Sequence, residues 1–244
     1  MKHDVISPLL FTALDAHGGL ERWRERVGLS SSMSISAELR RKKGMPATAT
    51  PLRVTTDFHR QWTSVEHFMK ADWTMIWTPE RVQIENDDWE PIAVREQPRK
   101  AFGGHHFDTP WDILHLAYFS GYAMWTFNAL PFFLAEPGYA VREIDPMVEG
   151  GQLLRGLRAR FPIGVHTHSA EQRFYFSSDG LLRRHDYDVD VLGGARAAQF
   201  LSDYVEVDGF QLPRTRRVHP RDRDGLVQRD TVLVAIDAGD FSLS

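Results

Sequence analysis

The sequence predicts an α+β fold built mainly of antiparallel β-strands, and three features predict it. Short runs alternate apolar and polar residues with a period of two, the signature of half-buried strands. Two Asp-Gly pairs sit between such runs, as tight hairpin turns require. One aromatic stretch, 110–134, breaks the rhythm with the all-round apolarity of a buried helix. At 244 residues, with 42% hydrophobic and 25% charged side chains, the chain has enough apolar surface for one sizeable core. A single domain spanning 1–244 is expected, with N-terminal helices over 1–27 and a helical plug over 110–134.

Taken in order, Val5, Ile6, Leu9, Leu10, Ala13 and Leu14 recur at helical spacing until His17-Gly18-Gly19 stops them. A second short helix places Leu20, Trp23 and Val27 on one face against a charged opposite face. From Leu29 the period becomes two: Met33, Ile35, Ala37 and Leu39 alternate with serines, Glu38 and Arg40, so a strand running to Arg40 is expected. Further strands are expected over 52–60, 61–70, 74–78, 81–86 and 91–96, a spacing that suits a meander. Thr109 then offers an N-cap and Pro110 a first helical position, while Gly121 and Pro131 should divide the plug into pieces. Strand patterns return over 139–144, 153–161, 172–177, 181–192, 198–207, 210–219 and 231–237. Asp179-Gly180 and Asp208-Gly209 each read as a two-residue turn.

Other features exclude whole classes of function. Formal net charge is −4 with basic residues dispersed among acidic ones, so no one-signed basic face exists to engage nucleic acid. With no cysteine there is no disulfide, thiolate nucleophile or Cys-ligated metal. The first 14 residues lack the charge pattern and apolar run of a signal peptide, and no stretch has the length of a membrane span. A cytoplasmic protein without integral membrane association is therefore expected. No nucleophile elbow, phosphate-binding glycine loop or dinucleotide fingerprint occurs in its required context.

Three local features carry a family likeness: Gly18-Gly19-Leu20 with Trp23, Phe174-Tyr175-Phe176 ahead of Asp179-Gly180-Leu181-Leu182, and YVEVDGFQLP at 204–213. With this order of elements the chain resembles the LolA/LolB-like proteins of the lipoprotein-carrier superfamily, as a cytoplasmic-type member. The resemblance implies a strongly curved sheet, an open half-barrel closed by helices, whose concave side receives an apolar group such as an acyl chain. Carriers of that family work outside the cytoplasm, and its fold also hosts enzymes, so the likeness leaves carrier and catalyst open.

Chemistry-bearing residues are sparse. His166-Thr167-His168 has the spacing that puts two imidazoles on one strand face, with His185 as the nearest third metal ligand. If the Asp179-Gly180 turn pairs Ser178 with Leu181, Phe174 lies opposite His185. A continuous strand then leaves His168 roughly 20 Å from His185, at about 3.3 Å per residue, too far for a shared ion. His105, His106 and His115 form another candidate set. The same pairing puts Phe174, Phe176, His185, Tyr187, Val189 and Val191 on one inward face, with Arg184, Asp186, Asp188 and Asp190 outward in water. His185 is thus a candidate general acid or base, Tyr187 a candidate for orienting a substrate, and His115, oriented by Asp112, a second acid-base group from the helical side. Trp111, Tyr118, Phe119, Tyr122 and Trp125, with Phe174 and Phe176, are the candidate lining of an apolar cavity.

The expected function is binding of an apolar or aromatic small molecule between curved sheet and plug. The alternative is a cofactor-independent lyase, isomerase or cyclase acting through the same cavity, and a His-ligated metalloenzyme is the third reading. Cofactor and oligomeric state are not legible.

Overall fold

Alternation of Met33 and Ile35 with serines forms strand β1 (Gly28–Ser36) in the middle of one antiparallel sheet, in a computed structural model that describes residues 6–46 and 51–244. From β1 the chain steps outward through β2 (Leu52–Asp57), β3 (Thr63–Glu66), β4 (Trp73–Trp77), β5 (Arg81–Asn86) and β6 (Pro91–Glu96) to one edge. It then crosses the concave face and enters at the opposite edge as β7 (Ala140–Glu149). From there it returns inward through β8 (Gln152–Arg160), β9 (Glu171–Phe176), β10 (Leu182–Val189), β11 (Ala195–Val207), β12 (Phe210–Pro220) and β13 (Val234–Leu243). Strand β13 pairs with β1, Ile236 opposite Ile35, so two meanders meet mid-sheet and the curved sheet stays unclosed, with β6 and β7 as its edges. The described residues thus form thirteen strands and a half-barrel.

Helix α1 (Pro8–Ala16) starts at Ser7, whose hydroxyl accepts a bond from Leu10 N at 3.2 Å, and buries Leu9, Leu10, Ala13 and Leu14. Val5 lies outside the described residues. Gly18 and Gly19 turn the chain with positive φ into α2 (Leu20–Arg24), whose Trp23 stacks on Phe132 at 5.5 Å. Val27, expected on the buried face, is exposed, because the chain has already left the helix for β1.

The strand expected to reach Arg40 ends at Ser36, and Glu38–Lys42 coils into α3. Alternation could not distinguish these outcomes, since Leu39 is buried in either. The turn brings Lys43 inward, where its ammonium donates to the carbonyls of His106, Phe107 and Thr109 and sits 5.1 Å from the Trp111 ring. Burial pulls that ammonium down to about 8.

Pro131 divides the plug as expected, into α4 (Ile113–Ala129) and a short 3-10 turn, whereas Gly121 does not. The N-cap of α4 is Asp112, which accepts from His115 N at 2.8 Å, while Thr109 instead closes the 106–109 loop by accepting from His106 N. Gly121 does not break the helix. A Cβ there would lie 2.3 Å from the Trp77 side chain, so glycine lets α4 rest directly on β4. Pro131 follows the last helical turn and precedes a short 3-10 turn, Phe132–Ala135.

The two Asp-Gly hairpins differ. Asp208 and Gly209 both have positive φ, 50° and 80°, as a two-residue turn demands. At the other, Ser177 pairs with Leu181 around a three-residue loop in which Gly180 alone takes positive φ, 81°. That shifts the register by one residue, and a bulge at Arg183 shifts it back, so Phe174 still faces His185.

Candidate functional site

On α4 the residues Leu116, Phe119, Ser120, Ala123, Met124 and Phe127 recur at helical spacing and line one side of a cavity of about 300 Å³. The central strands supply the facing wall through Ile35, Val54, Val65 and Val218, and Trp111 and Phe107 close it beside the Lys43 clamp. The opposite stripe of α4 packs on the sheet: Thr63 Oγ1 donates to Gly121 O at 3.0 Å, and Trp125 Nε1 donates to Asp57 O at 3.0 Å. The lining is predominantly apolar, interrupted by a few polar side chains, among them His168 and Tyr187.

Those two belong to a buried polar row across β9 to β12. Gln172 Nε2 donates to Thr167 Oγ1 (2.8 Å) and Ser169 O (2.9 Å), so its Oε1 turns to His185 Nε2 at 2.6 Å and requires the proton on that nitrogen. Thr126 spends its hydroxyl proton on Tyr122 O, which leaves Thr167 to donate to Thr126 at 3.3 Å. At the far end Arg216 donates to Phe127 O at 2.7 Å and to Gln199 Oε1 at 3.5 Å, lying over the Phe127 ring. Burial drives His185 well below the ordinary imidazole range, with His168 and Arg216 adding to the effect. Burial, with the Arg99 charge, holds His168 at about 3, so both rings are neutral.

His168 reaches this row because the segment before β9 is not strand. Gln61 clamps the backbone of His166 through two 2.8 Å bonds, Asp190 N donates to His168 O at 2.9 Å, and the chain doubles back. The His168 ring consequently stacks on Tyr187 at 4.1 Å and 7°, with Phe119, Tyr122 and Phe127 around it. The 20 Å separation from the His185 neighbourhood, which assumed continuous strand, is thus corrected. Pro162, Gly164 and Ser169 are the sequence signals of that break. Both nitrogens of His168 are buried without a hydrogen-bond partner. Among the described residues no group of three His, Asp or Glu side chains is arranged to hold a metal ion.

Of the residues singled out from sequence, Trp111, Phe119 and Tyr187 lie on the cavity wall. His185 lies behind Tyr187, sandwiched with Phe174 at 4.5 Å and edge-on to Phe127. Tyr118 bonds to His166 Nδ1 at 2.9 Å and to Arg99, Tyr122 is fully buried against His168, Trp125 stacks on Phe133, and Phe176 meets His17 edge-on. His115 serves the helix end: its Nδ1 accepts from Asp112 N, and its ring packs on Phe102 and His105. Its neighbours and those of His185 have no residue in common. Of the side chains expected outward on β10, Asp188 and Asp190 are exposed but the other two are not in water. Arg184 and Asp186 are buried, joined at 2.7 and 2.9 Å, with Glu149 and Arg221 completing the network.

No family model matches the sequence, and no curated protein is similar to it at a significant level. Solved structures do match in fold. A DUF1329 family protein from Desulfovibrio piger superposes with a TM-score of 0.54 at 12% identity, covering 98% of this chain and 92% of that one. A LolA superfamily protein from Nitrosomonas europaea gives 0.52 at 9%, covering 98% and 94%. A putative outer membrane lipoprotein-sorting protein domain from Vibrio parahaemolyticus gives 0.51 at 10%, covering 94% and 93%. These neighbours point away from the cytoplasm and overturn the cytoplasmic expectation drawn from the first 14 residues. No helix among the described residues is long and apolar enough to cross a membrane. Over nearly its whole length, the chain has the LolA-like fold.

Proposed function

We infer that this protein binds an apolar small molecule in the cavity between α4 and the central strands. The observation that carries the reading is the cavity itself: about 300 Å³, walled by aliphatic and aromatic side chains. Apolar cavities of roughly half that volume stay dry and take up benzene-sized guests, so burying a guest here is favourable at about 25 cal/mol per Å² of apolar area. The sorting role named for the Vibrio parahaemolyticus domain is in keeping with an apolar cargo. The acid-base alternative needs His115 and His185 in one space, and their separate surroundings favour the binder.

Titration with the neutral apolar dye Nile red tests this. The wild-type protein is expected to bind it with enhanced fluorescence. Ala123→Phe, which fills the cavity from the α4 side, should weaken binding by about tenfold or more with the far-ultraviolet spectrum unchanged. Dye binding indifferent to Ala123→Phe, or none in the wild type, would sink the reading.

A further inference from the structure

We propose that His168 and Tyr187 are the polar recognition point of the cavity, so that its ligand is an apolar molecule bearing an uncharged hydroxyl, such as a long-chain alcohol or a sterol, and not an ionised fatty acid. The proposal rests on the binding function above and names the class of ligand.

The two side chains are stacked, 1% and 3% exposed, and both border the cavity. Neither nitrogen of His168 has a hydrogen-bond partner among the described residues, and the influences on the Tyr187 hydroxyl are burial and nearby charges. Unpaired groups of this kind are costly in a low-dielectric interior, and a native fold rarely leaves them so without a use. A neutral imidazole presents one N–H donor and one bare acceptor, and a phenol presents both as well. A ligand hydroxyl, itself donor and acceptor, complements either of them.

Charge argues the same way. Burial keeps His168 unprotonated and pushes the Tyr187 hydroxyl up, so the pair supplies no cation for a carboxylate. The arginines that also border the cavity are engaged elsewhere. Arg221 is held by Asp186, Asp188 and Ala197 O, Arg196 by Arg223 O, and Arg40 is likewise partnered. A carboxylate beside His168 and Tyr187 would lose its hydration without gaining a charged hydrogen-bond donor, because Arg216, the guanidinium that acts on Tyr187, is turned to Phe127 O and Gln199 Oε1.

The test is displacement of Nile red at pH 8 by three matched ten-carbon probes: 1-decanol, decane and decanoate. The wild type should prefer decanol over decane and over decanoate by about tenfold, one good hydrogen bond's worth. Tyr187→Phe, which is near-isosteric, and His168→Phe should each reduce the preference for decanol over decane to about twofold or less, a ratio read within each variant and so independent of its own Nile red affinity. Should either variant fail to fold, the other with His168→Gln carries the comparison. An unchanged order in the folded variants, or decanoate displacing as well as decanol, would overturn the proposal alone. Absence of Nile red binding in the wild type would remove the cavity reading, and this proposal with it.

Discussion

The two halves of the sheet are built on opposite terms. Over β2 to β5 the concave face is Val54, Val65, Met75, Trp77, Val82 and Ile84, all at most 1% exposed, and α4 lies directly on it. Over β9 to β12 the same face carries Gln172, His185, Tyr187, Gln199 and Arg216, also buried but polar, with hydrogen bonds joining Gln172 to His185 and Arg216 to Gln199 and Phe127 O. The first half needs only shape and burial, which many side chains satisfy. The second must satisfy every donor and acceptor it takes out of water, and a partly satisfied row is worse than an apolar one. Among the described residues its unpartnered atoms are the two His168 nitrogens, at the cavity, with His185 Nδ1 and Gln199 Nε2 away from it.

Acid should separate the halves most. The folded-state pKa of His168, about 3, lies below the ordinary 6.5, so the unfolded chain binds the extra proton between those values. Stability from this group is complete above pH 6.5 and falls as pH drops, by about 3 kcal/mol at pH 4.5. His17, brought to about 4 by burial, and His185 act in the same direction. Urea unfolding at pH 7 and pH 4.5 should show a gap that narrows by about 3 kcal/mol in His168→Phe. An unchanged gap would mean the ring is not buried neutral.

A smaller effect is expected for Gln172→Leu, which strands His185 Nε2–H, Thr167 Oγ1 and Ser169 O at once. Denaturant titration should read a loss of about 2 kcal/mol, part of it recovered when His185→Phe is added. Additive losses in that cycle would show that the row does not act as a unit. The smallest change belongs to the apolar half: Met75→Leu, fully buried on β4, should cost less than about 1.5 kcal/mol by the same measurement. A larger loss would make that wall as exacting as the polar row and erase the contrast.

Legibility followed the same division. Strands β5 and β6 end where the alternation and turn residues place them, because each is a short local pattern bounded by turn residues. The pairing of Phe174 with His185 was also readable, though the turn beneath it was not: a looser loop and a bulge cancel, and the alternating pattern is blind to such compensation. On the helix, sequence showed an apolar cylinder but not which stripe meets the sheet and which the cavity. Tyr118, Tyr122 and Trp125 therefore ranked with Phe119 and Trp111 as candidates.

By itself, then, the sequence determined the class of fold, most of the strands, the plug, and the inward face of β10, since period and turn chemistry are properties of neighbouring residues. Only the tertiary structure decided where the two meanders meet, which face of α4 borders empty space, and that His168 folds back onto Tyr187. Those depend on contacts between residues far apart in the chain: Gln61 with His166, Asp190 with His168, Lys43 with the 106–109 carbonyls. Local spacing carries no record of such partners, because their geometry exists only once the sheet has curved and the helix has crossed it.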